Sequence, residues 1–299
     1  MRALLFTFVL VMAGLTFVYA QKPSADEIIA KHRASFGNAD DIAKTKLRFA
    51  AGSGQLVIMP NRGPNTVNVT AYFASNSDDL KFMLTTEIWT VRKERIGIFS
   101  NKINIPSRDS NQPQGPLSDF LNNYDRTLTD RIFGGPVFSR WAFLSSTPLK
   151  GKFETEGKKR IGDRETWVVR YRPKDELTLG SWIKLYFDVD SFRLLRTEYR
   201  QKETDIGFSY TEGAVIKNFP LPSSPAGGMG WNGWTLIEDF SDYRVEAGVM
   251  LPHKYTLSLS SDSNAGTYLY DYSIAITEYK ILNEFPADTF TFQTPAKTH

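Results

Sequence analysis

The chain is 299 residues long, sets 36 Lys and Arg against 33 Asp and Glu, and contains no cysteine. So near-neutral a balance leaves no nucleic-acid footprint, and the short runs 92–95 and 158–160 read as solvated turns. The missing thiol excludes disulfide staples, a cysteine nucleophile and the acylated cysteine of a bacterial lipoprotein, while 21 Phe and 13 Tyr suit pleated surfaces.

Met1-Arg2, an apolar run from Ala3 to Val18, and Val18-Tyr19-Ala20 ahead of Gln21 read as a cleavable secretory signal peptide. Residues 1–20 are assigned to that leader and 21–299 to one domain, since a β architecture holds about 280 residues as a unit. No later stretch is apolar enough to span a bilayer. The expectation is a periplasmic protein with no transmembrane segment after cleavage.

In the mature chain, Ser24 followed by Glu27 predicts a capping box. The helix behind it carries Ala25, Ile28, Ile29, His32 and Phe36 on one stripe and stops at Gly37. From Thr45 the period becomes two. Strands are expected over 47–59, with a bulge at Gly52-Ser53-Gly54, then around Val67–Phe73, Leu80–Thr86, 87–91 and 96–105. Leu117, Phe120, Leu121, Tyr124, Leu128 and Ile132 then recur at helical spacing, predicting one amphipathic helix that buries its stripe on the sheet.

A second strand run is expected over 137–144, 151–155, 166–171 and 206–219, with a clear hairpin over 183–199. Its tip, Asp188-Val-Asp190-Ser191, reads as a turn whose aspartates bond their own backbone rather than a metal. The glycine-tryptophan stretch 220–234 lacks the spacing and trailing helix of a phosphate loop, and Trp231 and Trp234 are expected to fold back onto the sheet. The stretch 240–255 predicts a hairpin turning at Ala247-Gly248, with Leu236, Glu238, Phe240, Asp242 and Arg244 on one face. Pro252 should turn its amide side to an edge, a bulge or solvent. A last strand runs over about 267–282.

Nothing in the chain selects a catalytic site. The histidines stand at 32, 253 and 299; there is no Gly-x-Ser-x-Gly elbow and no His-Glu-x-x-His. The reading is therefore no catalytic residue, no metal and no cofactor.

Several of these stretches together resemble the periplasmic outer-membrane lipoprotein carrier (lipoprotein-sorting, LolA-like) superfamily. They are the helix 25–37, the hairpin 185–196, the hairpin 242–255, and Tyr279-Lys-Ile-Leu-Asn283 leading into Phe285-Pro-Ala-Asp-Thr-Phe290. The resemblance implies a mainly β fold: a single antiparallel, unclosed β-barrel, with a short N-terminal helix and the mid-chain helix against its concave face. It makes 240–255 one of the sheet's closing strand pairs. It also implies a concave face that holds the acyl chains of a lipid or lipoprotein, with envelope membrane proteins as further partners. The chain is longer than a typical carrier, and the family's lid-latching arginine is not assigned to a residue.

Acyl chains enter such a face at about 0.8 kcal/mol per buried methylene, so a handful suffices without a charged contact. The residues expected to line it are Phe73, Phe82, Trp89, Phe120, Leu121, Tyr124, Trp141 and Phe187. The alternatives are a cell-envelope interaction module on the same scaffold without cargo, and an unrecognised hydrolase.

Overall fold

The computed structural model describes residues 22–59, 64–86, 93–100, 102–105, 115–123, 126–145, 149–174, 182–202, 233–263 and 266–292. Two helices open it, α1 (Ala25–Ala34) and α2 (Ala39–Lys44). The start of α1 is the expected box: Glu27 N–H donates to the Ser24 hydroxyl at 3.1 Å, and Ser24 N–H to the Glu27 carboxylate at 3.0 Å.

Among the described residues, twelve strands form one antiparallel sheet. They are β1 (Arg48–Met59), β2 (Asn65–Ser75), β3 (Leu80–Thr86), β4 (Glu94–Phe99), β5 (Lys102–Asn104), β6 (Gly151–Ile161), β7 (Arg164–Pro173), β8 (Trp182–Asp188), β9 (Leu194–Lys202), β10 (Gly233–Glu246), β11 (Val249–Ser263) and β12 (Gly266–Ile281). The order across the sheet is β5-β4-β3-β2-β1-β12-β11-β10-β9-β8-β7-β6. Two meanders are thus joined where the first strand pairs with the last, and among the described residues β5 and β6 are left as edges. The barrel is not closed.

It is nonetheless curled. On a flat sheet β12 and β4 would stand four strand spacings apart, about 19 Å. Yet the Tyr272 hydroxyl of β12 donates to the Glu94 carboxylate of β4 at 2.6 Å. Two glycines let β1 follow the bend. The β1–β12 register shifts between Ala51 and Gly52, but the residue left unpaired is Thr277 of β12; Gly52-Ser53-Gly54, where the sequence predicts a bulge, pair in unbroken register with β2. A Cβ on Gly54 would lie 1.8 Å from the Ser273 carbonyl oxygen, and one on Gly52 2.2 Å from that of Ala275.

Alternation puts the apolar set on the inner face. Val69, Ala71 and Phe73 of β2, Leu80, Phe82 and Leu84 of β3, Ile183 and Leu185 of β8, and Tyr272, Ile274 and Ile276 of β12 are all buried. The described residues between 115 and 145 lie across this face as a cover. They comprise α3 (Pro116–Asn123), α4 (Arg126–Thr129), a single tight helical turn at Gly135–Val137, and further turns.

Three expectations are corrected here. The mid-chain helix does not reach Ile132: its described part ends with α4 at Thr129, Arg131, at φ 57°, turns the chain, and Ile132 and Phe133 both donate to the Thr127 carbonyl, while Tyr124 and Asp125 lie outside the described residues. The stretch 137–144 is not a strand. Its apolar run fits a buried chain of turns equally well, and its amides bond within it, Trp141 N–H to Phe138 O and Leu144 N–H to Trp141 O. The stretch 96–105 breaks into β4 and β5, with Ser100 left-handed at φ 51°. The expected strands over 87–91 and 206–219, and Trp231, lie outside the described residues.

The hairpin over 240–255 turns as predicted, with Ala247 at φ 50° and Gly248 at φ 84°, the two left-handed residues of a tight hairpin turn. It does not close the sheet; β10 and β11 are interior strands between β9 and β12. Its predicted face holds only as far as Phe240. Asp242, at φ 53°, reverses the alternation, so Tyr243 turns towards the core while Asp242 and Arg244 are exposed. Pro252 sits where expected, in the part of β11 ahead of Lys254, where its ladder to β12 begins. At the β8–β9 tip the Asp188 carboxylate accepts from Ser191 N–H at 2.8 Å and from the Ser191 hydroxyl at 2.7 Å, a turn former as read.

Candidate functional site

The inner face is an aromatic wall, and the cover packs a second aromatic layer onto it. Phe73 stacks on Phe82 with ring centroids 5.1 Å apart, and the cover's Phe138 and Phe133 meet these two at 5.7 and 5.4 Å. Farther along, Trp141 meets Phe143 at 5.0 Å, Phe143 meets Phe187 at 6.3 Å, and His32 of α1 meets Phe187 at 4.7 Å. Phe120 of α3 approaches Trp234 at 6.3 Å; Trp234, expected as a loop residue folding back onto the sheet, is part of strand β10 itself. Of the eight residues expected to line a cavity, Phe73, Phe82, Phe120, Leu121, Trp141 and Phe187 are buried in one core, spread over its neighbourhoods. Trp89 and Tyr124 lie outside the described residues.

Polar groups rising from the wall fasten the cover. Glu94 caps α3, accepting from Leu117 N–H at 3.1 Å, Ser118 N–H at 2.7 Å and the Ser118 hydroxyl at 2.6 Å. Burial pushes its carboxyl up and these donors pull it back down. Glu238 holds the residue that leads into the tight helical turn: it accepts from Gly134 N–H at 2.9 Å, from the Tyr199 hydroxyl at 2.5 Å and from the Tyr255 hydroxyl. Burial raises this carboxyl to about 7 despite the three donors. Arg48, 1% exposed, donates from Nη1 to the Pro136 carbonyl at 2.8 Å and to that of Val137 at 3.4 Å. Burial lowers its guanidinium to about 10. Ser139 adds N–H to Ser75 Oγ at 2.8 Å, and the Tyr171 hydroxyl donates to Asp130 at 2.8 Å.

The charges of Arg48, Glu94 and Glu238 are what sequence reasoning missed. A signal was present: Glu238 is a lone charge between Leu236 and Phe240 in an apolar alternation, and Arg48 stands between Leu47 and Phe49.

His32 is fully engaged. Trp141 Nε1–H donates to its Nε2 at 3.2 Å, so Nδ1 carries the proton and donates to the Phe192 carbonyl at 2.8 Å. Burial lowers its pKa to about 3. His253 sets Nδ1 3.0 Å from the Ile276 carbonyl and Nε2 2.9 Å from a Glu246 carboxylate oxygen. Among the described residues neither ring is hydrogen-bonded to a hydroxyl. Among the described residues no three His, Asp or Glu cluster as a metal site would require, and no helix is long and apolar enough to cross a membrane.

The architecture is the unclosed half-barrel of the LolA-like resemblance. No family model and no curated protein matches the chain. Among solved structures it is similar to a LolA superfamily protein from Nitrosomonas europaea, at 14% identity and TM-score 0.45, over 90% of this chain and 98% of that one. A DUF1329 family protein from Desulfovibrio piger is similar at 10% identity and TM-score 0.46, over 89% and 96%. More distantly, the Pseudomonas aeruginosa MucA/MucB complex contains a chain similar at 8% identity and TM-score 0.22, over 84% and 93%.

Proposed function

We propose that the chain is an exported, non-enzymatic carrier of the cell envelope that holds acyl chains of a lipid or lipoprotein on its concave face. One observation carries the reading: the aromatic wall is roofed by a segment, 115–145, whose described residues join no strand ladder and are fastened by side chains. Each buried side chain of that roof contributes about 1.5–3 kcal/mol, and each polar fastening about 1–3 kcal/mol. An acyl chain taking the place of roof side chains recovers the apolar part methylene by methylene, so the exchange is close to balanced. In the loaded state Phe73, Phe82, Trp89, Phe120, Leu121, Tyr124, Trp141 and Phe187 line the chains. The spent ring nitrogens of His32 argue for binding rather than catalysis.

Native mass spectrometry of the mature protein, with titration of a fluorescent fatty-acyl probe, tests this. Co-purified lipid or saturable uptake is expected; absence of both overturns it. A cargo-free envelope module is the second reading, favoured by the roof's own Phe133, Phe138 and Trp141 already filling the wall.

A further inference from the structure

At one end of the roof, where it meets the α2–β1 junction and the β2–β3 turn, lies a cleft of about 140 Å³. Its volume equals a few water molecules at about 30 Å³ each, room for one phosphate or carboxylate group. Lys46, Arg48 and Arg131 line it, with the hydroxyl residues Thr45, Ser139 and Ser145. Asp78 is the one carboxylate among the described lining residues, and it also faces the buried Arg140, whose charge it and Asp79 favour. The cleft is therefore net cationic.

Arg48 is the telling member. It is 1% exposed, its guanidinium bonds carbonyl oxygens and the Thr45 hydroxyl, and its Nε has no hydrogen-bond partner. Among the described residues this buried cation is hydrogen-bonded by neutral dipoles only, a costly arrangement that an anion nearby would relieve. Guanidinium and ammonium donors around a small space also match an oxyanion's lone pairs, while the Thr45 and Ser139 hydroxyls are already donated to the Ile42 and Lys46 carbonyls. The cleft is not polar throughout. Ile42 and Leu144 line it too, and both pack against the core, so an apolar path leads from the charged end to the aromatic wall.

We infer that this cleft binds the anionic headgroup, a phosphate or carboxylate, of an amphiphile whose chains lie along the wall. The inference rests on the carrier reading and narrows its cargo to anionic lipids. Binding is measured by tryptophan fluorescence with three probes: myristoyl lysophosphatidic acid, monomyristoyl glycerol and inorganic phosphate. The anionic amphiphile should bind about tenfold or more tighter than the neutral one, the worth of one charge-assisted contact. The preference should vanish in K46Q/R131Q with neutral binding unchanged. Should that double variant fail to fold, the exposed Lys46→Glu must reduce the same ratio. Equal affinity for the two amphiphiles in the native protein overturns the headgroup site and leaves the carrier standing. Phosphate binding without amphiphile binding keeps the oxyanion site, refutes its lipid origin and sinks the carrier. No binding of any probe overturns both.

Discussion

Replacing Glu238 with Gln removes a titrating group from the middle of the wall. The native carboxyl is raised from 4.5 to about 7, because burial outweighs the bonds from Tyr199, Tyr255 and Gly134. A group whose folded pKa exceeds its unfolded one gives stability that is complete below the unfolded value and lost as pH rises through the folded value. Here the window is 4.5 to about 7. At about 1.4 kcal/mol per pK unit, the native protein loses about 3 kcal/mol across it on this residue's account. Gln cannot titrate. It also forfeits part of the hydrogen bonding, but that offset of about 1–3 kcal/mol does not depend on pH. Urea unfolding of both proteins between pH 4.5 and 8.5 should therefore show Glu238→Gln gaining about 3 kcal/mol relative to native as pH rises. Glu94, raised in the same direction, and His32, lowered, titrate in both proteins and cancel in the difference. A difference that stays flat with pH refutes the buried-carboxyl argument.

The remaining expectations are more local. His32 should show the Nδ1–H tautomer by nitrogen-15 NMR and stay neutral at pH 5, since its folded pKa is about 3; the stability it gives is present above 6.5 and lost as pH falls towards 3. An imidazolium signal at pH 5 in the folded protein contradicts that. Glu94→Ala leaves Leu117 N–H, Ser118 N–H and the Tyr272 hydroxyl without their acceptor, costing about 3 kcal/mol. Hydrogen exchange should then quicken first over 116–123. Gly54→Ala forces a Cβ into the Ser273 carbonyl and should cost about 3 kcal/mol in thermal or urea unfolding, against little for the exposed turn glycine Gly162→Asn.

Period-two alternation made the wall legible, because a strand with one buried face must alternate, and the turns at Ala247-Gly248 and Asp188–Ser191 were fixed by residues that only those turns favour. The roof was harder. Its stripe from Leu117 to Ile132 reads as helix to the end, since periodicity records which face is buried and not where the helix stops; α4 ends at Thr129, and the left-handed Arg131 leaves no compositional mark. The run 137–144 is apolar because it is buried on all sides, and such a run carries no period at all. Pairing of β1 with β12 was beyond local reading, being a contact between strands on the order of two hundred residues apart in the chain. The eight lining residues were chosen as large apolar side chains on strand and helix faces. That logic finds the core, and it passes over Arg48, Glu94 and Glu238, whose charges fasten the roof.

The meeting of β1 with β12 has a consequence for how the chain is made. The roof is synthesised before the strands that carry Glu238 and Tyr255, and Gly134 waits for a partner 104 residues downstream. Until the last strand arrives, the first meander has no neighbour beyond β1, and the apolar side of the roof has half a wall to lie on. Closure of so long a loop is slow relative to local hairpin formation. Between synthesis of the roof and the docking of β12, the chain is a sticky, half-built surface. Its survival in that interval is a matter of kinetics and of whatever holds it, not of the stability of the finished fold.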